Sequence, residues 1–253
     1  MTNYKRSKTG QFAGSYHDPA SPPPPPDRRS ANESPVPSLA ANTVDSAADA
    51  YQSLVKHNDR TLETYNQKVQ EYVEGTPQEV SGDLREWIHA GLEWLPTDAN
   101  IMELGSGFGR DADYMESLGY HVLRTDAAEG FVNLLTEQGH DDTRMFDAIN
   151  GTYPQGELDL VFADAVLLHF ASEETRNVLH KVHDSLTPAG RFAFTLKGGE
   201  GTEWSTAKLG APRFFTYWTR PAIEAELARE YSRVEMKENT SNDVTWLHIV
   251  AYK

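Results

Sequence analysis

The chain has 253 residues, 38 acidic against 23 basic side chains (formal net charge −15), 38% hydrophobic residues and no cysteine. The missing cysteines exclude disulfides, thiolate nucleophiles and cysteine-held metals. The acidity disfavours a nucleic-acid partner, whose affinity comes largely from Lys and Arg. No stretch approaches the ~18 apolar residues of a membrane span, and the charged, proline-rich N-terminus is unlike a signal peptide. A cytoplasmic protein with no membrane contact and no metal is expected.

Residues 1–42 show little apolar periodicity, and Pro22 to Pro26 are consecutive, which favours solvated polyproline II over a packed element. We read a disordered tail over 1–42 and a single domain over 43–253. Asp45 to Glu74 is mostly helix-compatible, with Tyr51, Leu54, Val55, Leu62, Tyr65, Val69, Tyr72 and Val73 on a loose apolar face. After Ser81-Gly82-Asp83 a second helix carries Leu84, Trp87, Ile88, Leu92 and Leu95, with Pro96 closing it.

From Asn100 short apolar runs alternate with helical stretches, the pattern of a parallel sheet with crossover helices. The expected strands are 101–105, 121–126, 144–148, 158–164, 191–197, 232–237 and 245–252, and the expected helices 111–118, 130–138, 173–186 and 220–229. The last two strands are nearly adjacent and read as an antiparallel hairpin. The fold expected is α/β, a doubly wound, seven-stranded, mostly parallel sheet behind two N-terminal helices.

The first strand runs into Glu103-Leu104-Gly105-Ser106-Gly107-Phe108-Gly109, where glycines let backbone groups approach a ligand closely. Asp126 closes the second strand, where a carboxylate can accept from the two hydroxyls of an adenosine ribose. Asp147 ends the third, placed to accept from an adenine amino group. Glu103 puts negative charge near the loop, which suits a cationic sulfonium and amino acid better than a pyrophosphate.

Ile101 to Asp111 resembles the first motif of class I S-adenosylmethionine (SAM)-dependent methyltransferases, down to the following Arg110-Asp111. Asp126, Asp147 and Leu158-Asp159-Leu160-Val161-Phe162-Ala163 fall where that family has its later motifs. Leu186-Thr187-Pro188-Ala189-Gly190-Arg191-Phe192 is similar to its turn before the fifth strand, with Ala189 replacing a glycine. Segments 165–170, 197–201, 213–218 and 246–249 resemble a bacterial methyltransferase-domain subgroup of mostly unassigned acceptor. The resemblance implies a Rossmann-like sheet with strand seven antiparallel beside strand five. It implies SAM as cofactor and S-adenosylhomocysteine as product, held by Glu103, Gly105, Ser106, Gly107, Gly109, Arg110, Asp126, Ala127, Asp147 and Ala148. Tyr65 and Tyr72 are the candidates to cover it.

Ligands of open α/β sheets bind outside the C-terminal strand ends, so Asp164 and His169 after the fourth strand are the catalytic candidates. Lys197, Arg213 and Tyr217 are the substrate candidates, with Gly198 to Gly201 as a lip over the acceptor; Trp204, Phe214, Phe215 and Trp218 read as pocket wall or core. A small-molecule acceptor is expected. The chain lacks a decisive acceptor motif such as Asn-Pro-Pro-Tyr, which leaves a non-catalytic SAM-binding sensor or partner-dependent subunit as an alternative. An NAD-dependent oxidoreductase is a further one, although its fingerprint would want glycine at Arg110. Oligomeric state is not legible.

Overall fold

The computed structural model describes residues 57–241 and 243–253; the expected tail, and Tyr51, Leu54 and Val55 of the first helical face, lie outside them. The first helical stretch is divided. Helix α1 covers 57–67 and α2 Val69–Glu74, because Lys68 between them leaves helical geometry (φ −124°, ψ 28°). Helix α3 (Gly82–Leu92) stops before Pro96, at Glu93 in extended geometry. It buries Trp87, Ile88, Gly91 and Leu92 on one stripe.

A parallel sheet follows: β1 (Ile101–Leu104), α4 (Arg110–Ser117), β2 (Val122–Asp126), α5 (Glu129–Glu137), β3 (Thr143–Met145), β4 (Leu158–Ala163), α6 (Ser172–Ser185) and β5 (Leu186–Gly198). Strand β1 is buried along its whole length, as strands covered on both faces are. One face packs α3 and α4 through Trp87, Ile88, Ala112 and Met115 onto Phe162 and Ala193. The other packs α6 and α7 (Arg220–Leu227) through Val178, Val182, Ile223 and Leu227 onto Phe192 and Phe194. Each Val, Leu, Ile, Phe or Met among these contributes ~1.5–3 kcal/mol by leaving water.

The strand order is β3-β2-β1-β4-β5, continued by β9 (Val244–Tyr252), antiparallel to β5, and β8 (Arg233–Ser241) on its outer edge. This is the expected seven-stranded sheet, with β8 and β9 as its sixth and seventh strands. Two further strands were not foreseen. β6 (Thr202–Ser205) and β7 (Arg213–Trp218) form a hairpin that joins the end of β5 through Lys197↔Tyr217 and Gly198↔Trp218. Where a loose lip was expected, Gly199 and Gly201 turn the chain into this hairpin, and Tyr217 donates its backbone N–H to the Gly201 carbonyl. The turn expected before the fifth strand is built into β5 as a register slip between Leu158↔Leu186 and Leu160↔Arg191. No helix among the described residues is long and apolar enough to cross a membrane.

Candidate functional site

The loop after β1 is shaped by its glycines and by Asp126. Gly105 takes φ 65°, and a Cβ there would lie 2.5 Å from Cγ2 of Val166; Gly107 takes φ 56° and faces Tyr72. Both are conformations that side chains rarely adopt. Ser106 bonds β2 twice, donating its backbone N–H to the Thr125 carbonyl (2.8 Å) and accepting at Oγ from the Thr125 N–H (3.1 Å). The Asp126 carboxylate accepts from the N–H of Gly107 (2.9 Å) and of Ala128 (2.8 Å). Burial pushes its carboxyl up to about 6, against the pull of these backbone donors.

Gly105, Gly107, Asp126, Ala127, Asp147 and Ala148 line one end of a cavity with about 680 Å³ of free space, its solvent-open mouth included. Asp147 accepts from the Ile149 N–H (2.8 Å) and from the Asn150 side chain (2.8 Å), so its carboxylate is fixed at the wall.

Three acids and one base stand beside this end. Arg110 bonds Asp111 (2.7 Å) and reaches Asp164 (3.1 Å), whose other oxygen accepts from the Thr195 hydroxyl (2.9 Å). Glu103 is buried with Oε2 unpartnered among the described residues. Burial, then the Asp111 charge, pushes Glu103 up to about 8; burial, then Asp164, pushes Asp111 up to about 6. Glu103, Ser106, Gly109 and Arg110 frame the loop from behind without lining the cavity.

At the other end the chain leaves β4 through Asp164 and Ala165, the latter in the left-handed region (φ 56°). That reversal lays Val166 against Gly105 and leads into a 3-10 turn, Leu167–His169. His169 is fixed at both nitrogens. Its Nδ1 donates to the Phe214 carbonyl (2.6 Å), which leaves Nε2 to accept from the Tyr65 hydroxyl (2.8 Å). Burial pushes its pKa down to about 3, so the imidazole is neutral. Tyr65, from α1, also receives Arg213 Nη1 (3.2 Å) and meets Tyr72 edge-on, with centroids 5.5 Å apart. Tyr65, Tyr72, Asp164 and His169 all line the cavity.

Lys197, Arg213 and Tyr217 do not line it. Arg213 reaches the cavity only through Tyr65. Lys197 stands over the Phe215 ring at 4.0 Å. Tyr217 donates to Glu203 across the hairpin. Phe214, Phe215 and Trp218 are core, each about 5% exposed or less. The sequence reading missed Asn58, Thr61 and Leu62, which line the cavity with Tyr65. Their spacing, i, i+3, i+4 and i+7, is one helical stripe and was the available signal. Phe131, Phe146 and Phe170, also in the lining, had none beyond hydrophobicity.

Residues 102–194 match the model of the methyltransferase domain family. A search of curated proteins finds no match. Among solved structures the chain is similar to the 1,6-didemethyltoxoflavin N1-methyltransferase of Burkholderia thailandensis, bound to 1,6-didemethyltoxoflavin and S-adenosylhomocysteine (TM-score 0.54, 17% identity, 88% of this chain and 93% of that one). It is also similar to phosphoethanolamine N-methyltransferase 2 of Haemonchus contortus in complex with SAM (TM-score 0.59, 14% identity, 74% of this chain and 57% of that one). An S-adenosylmethionine-dependent methyltransferase of Mesorhizobium loti is a third (TM-score 0.52, 18% identity, 66% and 95%). At these identities the likeness is one of fold. Residues 102–194 thus match a methyltransferase domain, and the sheet has the Rossmann-like topology of class I SAM-dependent methyltransferases.

Proposed function

We propose that this protein transfers the methyl group of SAM to a small-molecule acceptor inside the cavity between Gly105 and His169, leaving S-adenosylhomocysteine. The observation that carries the reading is the cavity's two-ended construction. One end has Asp126 fixed at the end of β2 and Asp147 in the turn two residues past β3, not at the strand's end as the sequence suggests, beside a loop that Cβ atoms would obstruct; the other is walled by Tyr65, Asp164 and His169. The residues present fit the donor. Asp126 offers a carboxylate to the ribose hydroxyls, and Asp147 with the Ala148 backbone offers polar atoms to the adenine edge. Asp111 and Asp164 outnumber Arg110, a balance that favours a sulfonium and an ammonium and opposes the pyrophosphate of NAD.

Bound SAM supplies a methyl carbon on a cationic sulfur. The acceptor's lone pair forms the new bond as the sulfur–carbon bond breaks and sulfur keeps the pair. The protein's task is therefore alignment and exclusion of water, for which Tyr65 and Tyr72 form a roof. His169, neutral and occupied at both nitrogens, acts by holding Tyr65. Asp164, its side chain 21% exposed at the wall, is the group placed to take a proton from an acceptor that must lose one. The didemethyltoxoflavin and phosphoethanolamine enzymes are named for small molecules, which supports the same acceptor class here.

Calorimetry against SAM, S-adenosylhomocysteine and NAD tests the donor, with micromolar binding of the first two expected; binding of NAD alone would overturn the reading. Incubation with radiolabelled SAM and fractions of small molecules, protein and RNA then tests turnover. Label in the small-molecule fraction is expected. SAM binding with label in no fraction would leave a sensor.

A further inference from the structure

The wall of the cavity carries charge of one sign. Its titratable side chains are Asp126, Asp147, Asp164, Tyr65, Tyr72 and His169. Burial raises both phenols, so they keep their protons, and it holds His169 at about 3, so the imidazole is neutral. The formal charges in the lining are therefore three aspartates, and no Lys or Arg among the described residues joins them. Basic groups reach the wall only from outside, Arg110 through Asp164, Arg213 through Tyr65 and Lys208 over the Tyr72 ring.

Two of the three carboxylates, Asp126 and Asp147, are those proposed for the nucleoside. Asp164 is left over. Arg110 does not neutralise it alone, because the same guanidinium grips Asp111 through Nε (2.7 Å) and Nη2 (3.1 Å) and donates from Nη1 to the Pro77 carbonyl (3.3 Å). One cation is divided between two carboxylates. Thr195, fully buried, accepts the Ala165 N–H at its hydroxyl (2.7 Å) and so turns its own proton onto Asp164 (2.9 Å). Each Asp164 oxygen thus receives one donor and has room for another, with the side chain 21% exposed.

Resting on the methyl transfer proposed above, we infer that the acceptor is an amine, received as its ammonium ion by Asp164 and methylated at that nitrogen. Tyr65, Phe146 and Phe170 add rings to the same lining, surroundings that suit an organic cation and give an anion no partner. Asp164 takes one N–H proton. The lone pair this frees forms the bond to the methyl carbon as the sulfur–carbon pair stays with sulfur; the product is an N-methylammonium ion, and the proton passes from Asp164 to water at the mouth.

The test uses the full chain saturated with S-adenosylhomocysteine, so that the donor end is filled, and titrates it by calorimetry at neutral pH. The probes are benzylamine, benzyl alcohol and benzoate, one body in three charge states, with butylamine as a slimmer amine. Saturable binding of at least one amine is expected, with the alcohol weaker by about 10-fold or more and benzoate silent. Asp164→Asn should weaken the amine by about 10-fold or more and S-adenosylhomocysteine by less than about threefold. No saturable binding of either amine overturns the inference, as does an alcohol or benzoate that binds as well, or an amine affinity that Asp164→Asn leaves intact. A tenfold loss of S-adenosylhomocysteine in that variant also overturns it, by assigning the carboxylate to the donor's own ammonium. Should Asp164→Asn fold poorly, the charge series on the wild type decides. Failure of the wild type to bind S-adenosylhomocysteine would instead strike the donor reading, and the same series read on the protein without it still tests the amine.

Discussion

The two ends of the cavity are built differently. The donor end draws its polar groups from the C-terminal ends of β1, β2 and β3, three strands that neighbour one another in the sheet and follow one another in the chain. The acceptor end joins α1, the turn after β4 and the β6–β7 hairpin, with Tyr65 meeting His169 across 104 residues and Arg213 across 148. A donor of constant chemistry can be met by local strand-end motifs.

The sharpest break between the two ends should come from Asp126→Ala. It removes the carboxylate proposed for the ribose and releases the Gly107 N–H; with hydrogen bonds to a charged group contributing ~1.5–3 kcal/mol each, calorimetry should find SAM weaker by about 100-fold or more. Unaltered affinity would put the ribose elsewhere. His169→Ala should do the reverse. Turnover of labelled SAM should fall by roughly 10-fold through loss of Tyr65 positioning, with the SAM dissociation constant moving less than about twofold; equal losses in both would make His169 part of the donor end.

Acidity should separate the ends as well. The Asp126 carboxyl sits at about 6, so it gains its proton, and loses its capacity to accept from two hydroxyls, as the pH falls through that value. SAM affinity should therefore drop by about 10-fold between pH 7 and pH 5, a titration that Asp126→Asn should flatten. For stability the sign is opposite. A raised carboxyl contributes stability that is present below its unfolded value of ~3.9 and lost as the pH rises through about 6, so the melting shift produced by SAM should grow over that rise. The smallest effect is expected from deleting residues 1–42, which should leave SAM affinity unchanged in calorimetry; a large loss would make the tail part of the roof.

Most of the sheet could be read before any coordinates, because alternation of apolar runs with helical stretches is a local pattern and the spacing of Gly105, Asp126 and Asp147 marks successive strand ends. The hairpin was not legible. β6 is four residues with little burial, and the aromatic run of β7 reads as wall or core equally well. Nor was the state of His169, whose neighbours Tyr65 and Phe214 come from distant segments and whose burial sets its charge. Lys197, Arg213 and Tyr217 looked alike as substrate contacts until packing sent Tyr217 to Glu203 and Arg213 to Tyr65, with no salt bridge to Arg213 among the described residues. Residue order alone settles which groups stand at strand ends, because backbone periodicity is short-range. Which charges are buried, paired or left over is settled only when remote segments close on one another, because desolvation depends on everything within a few ångströms and not on neighbours in the chain.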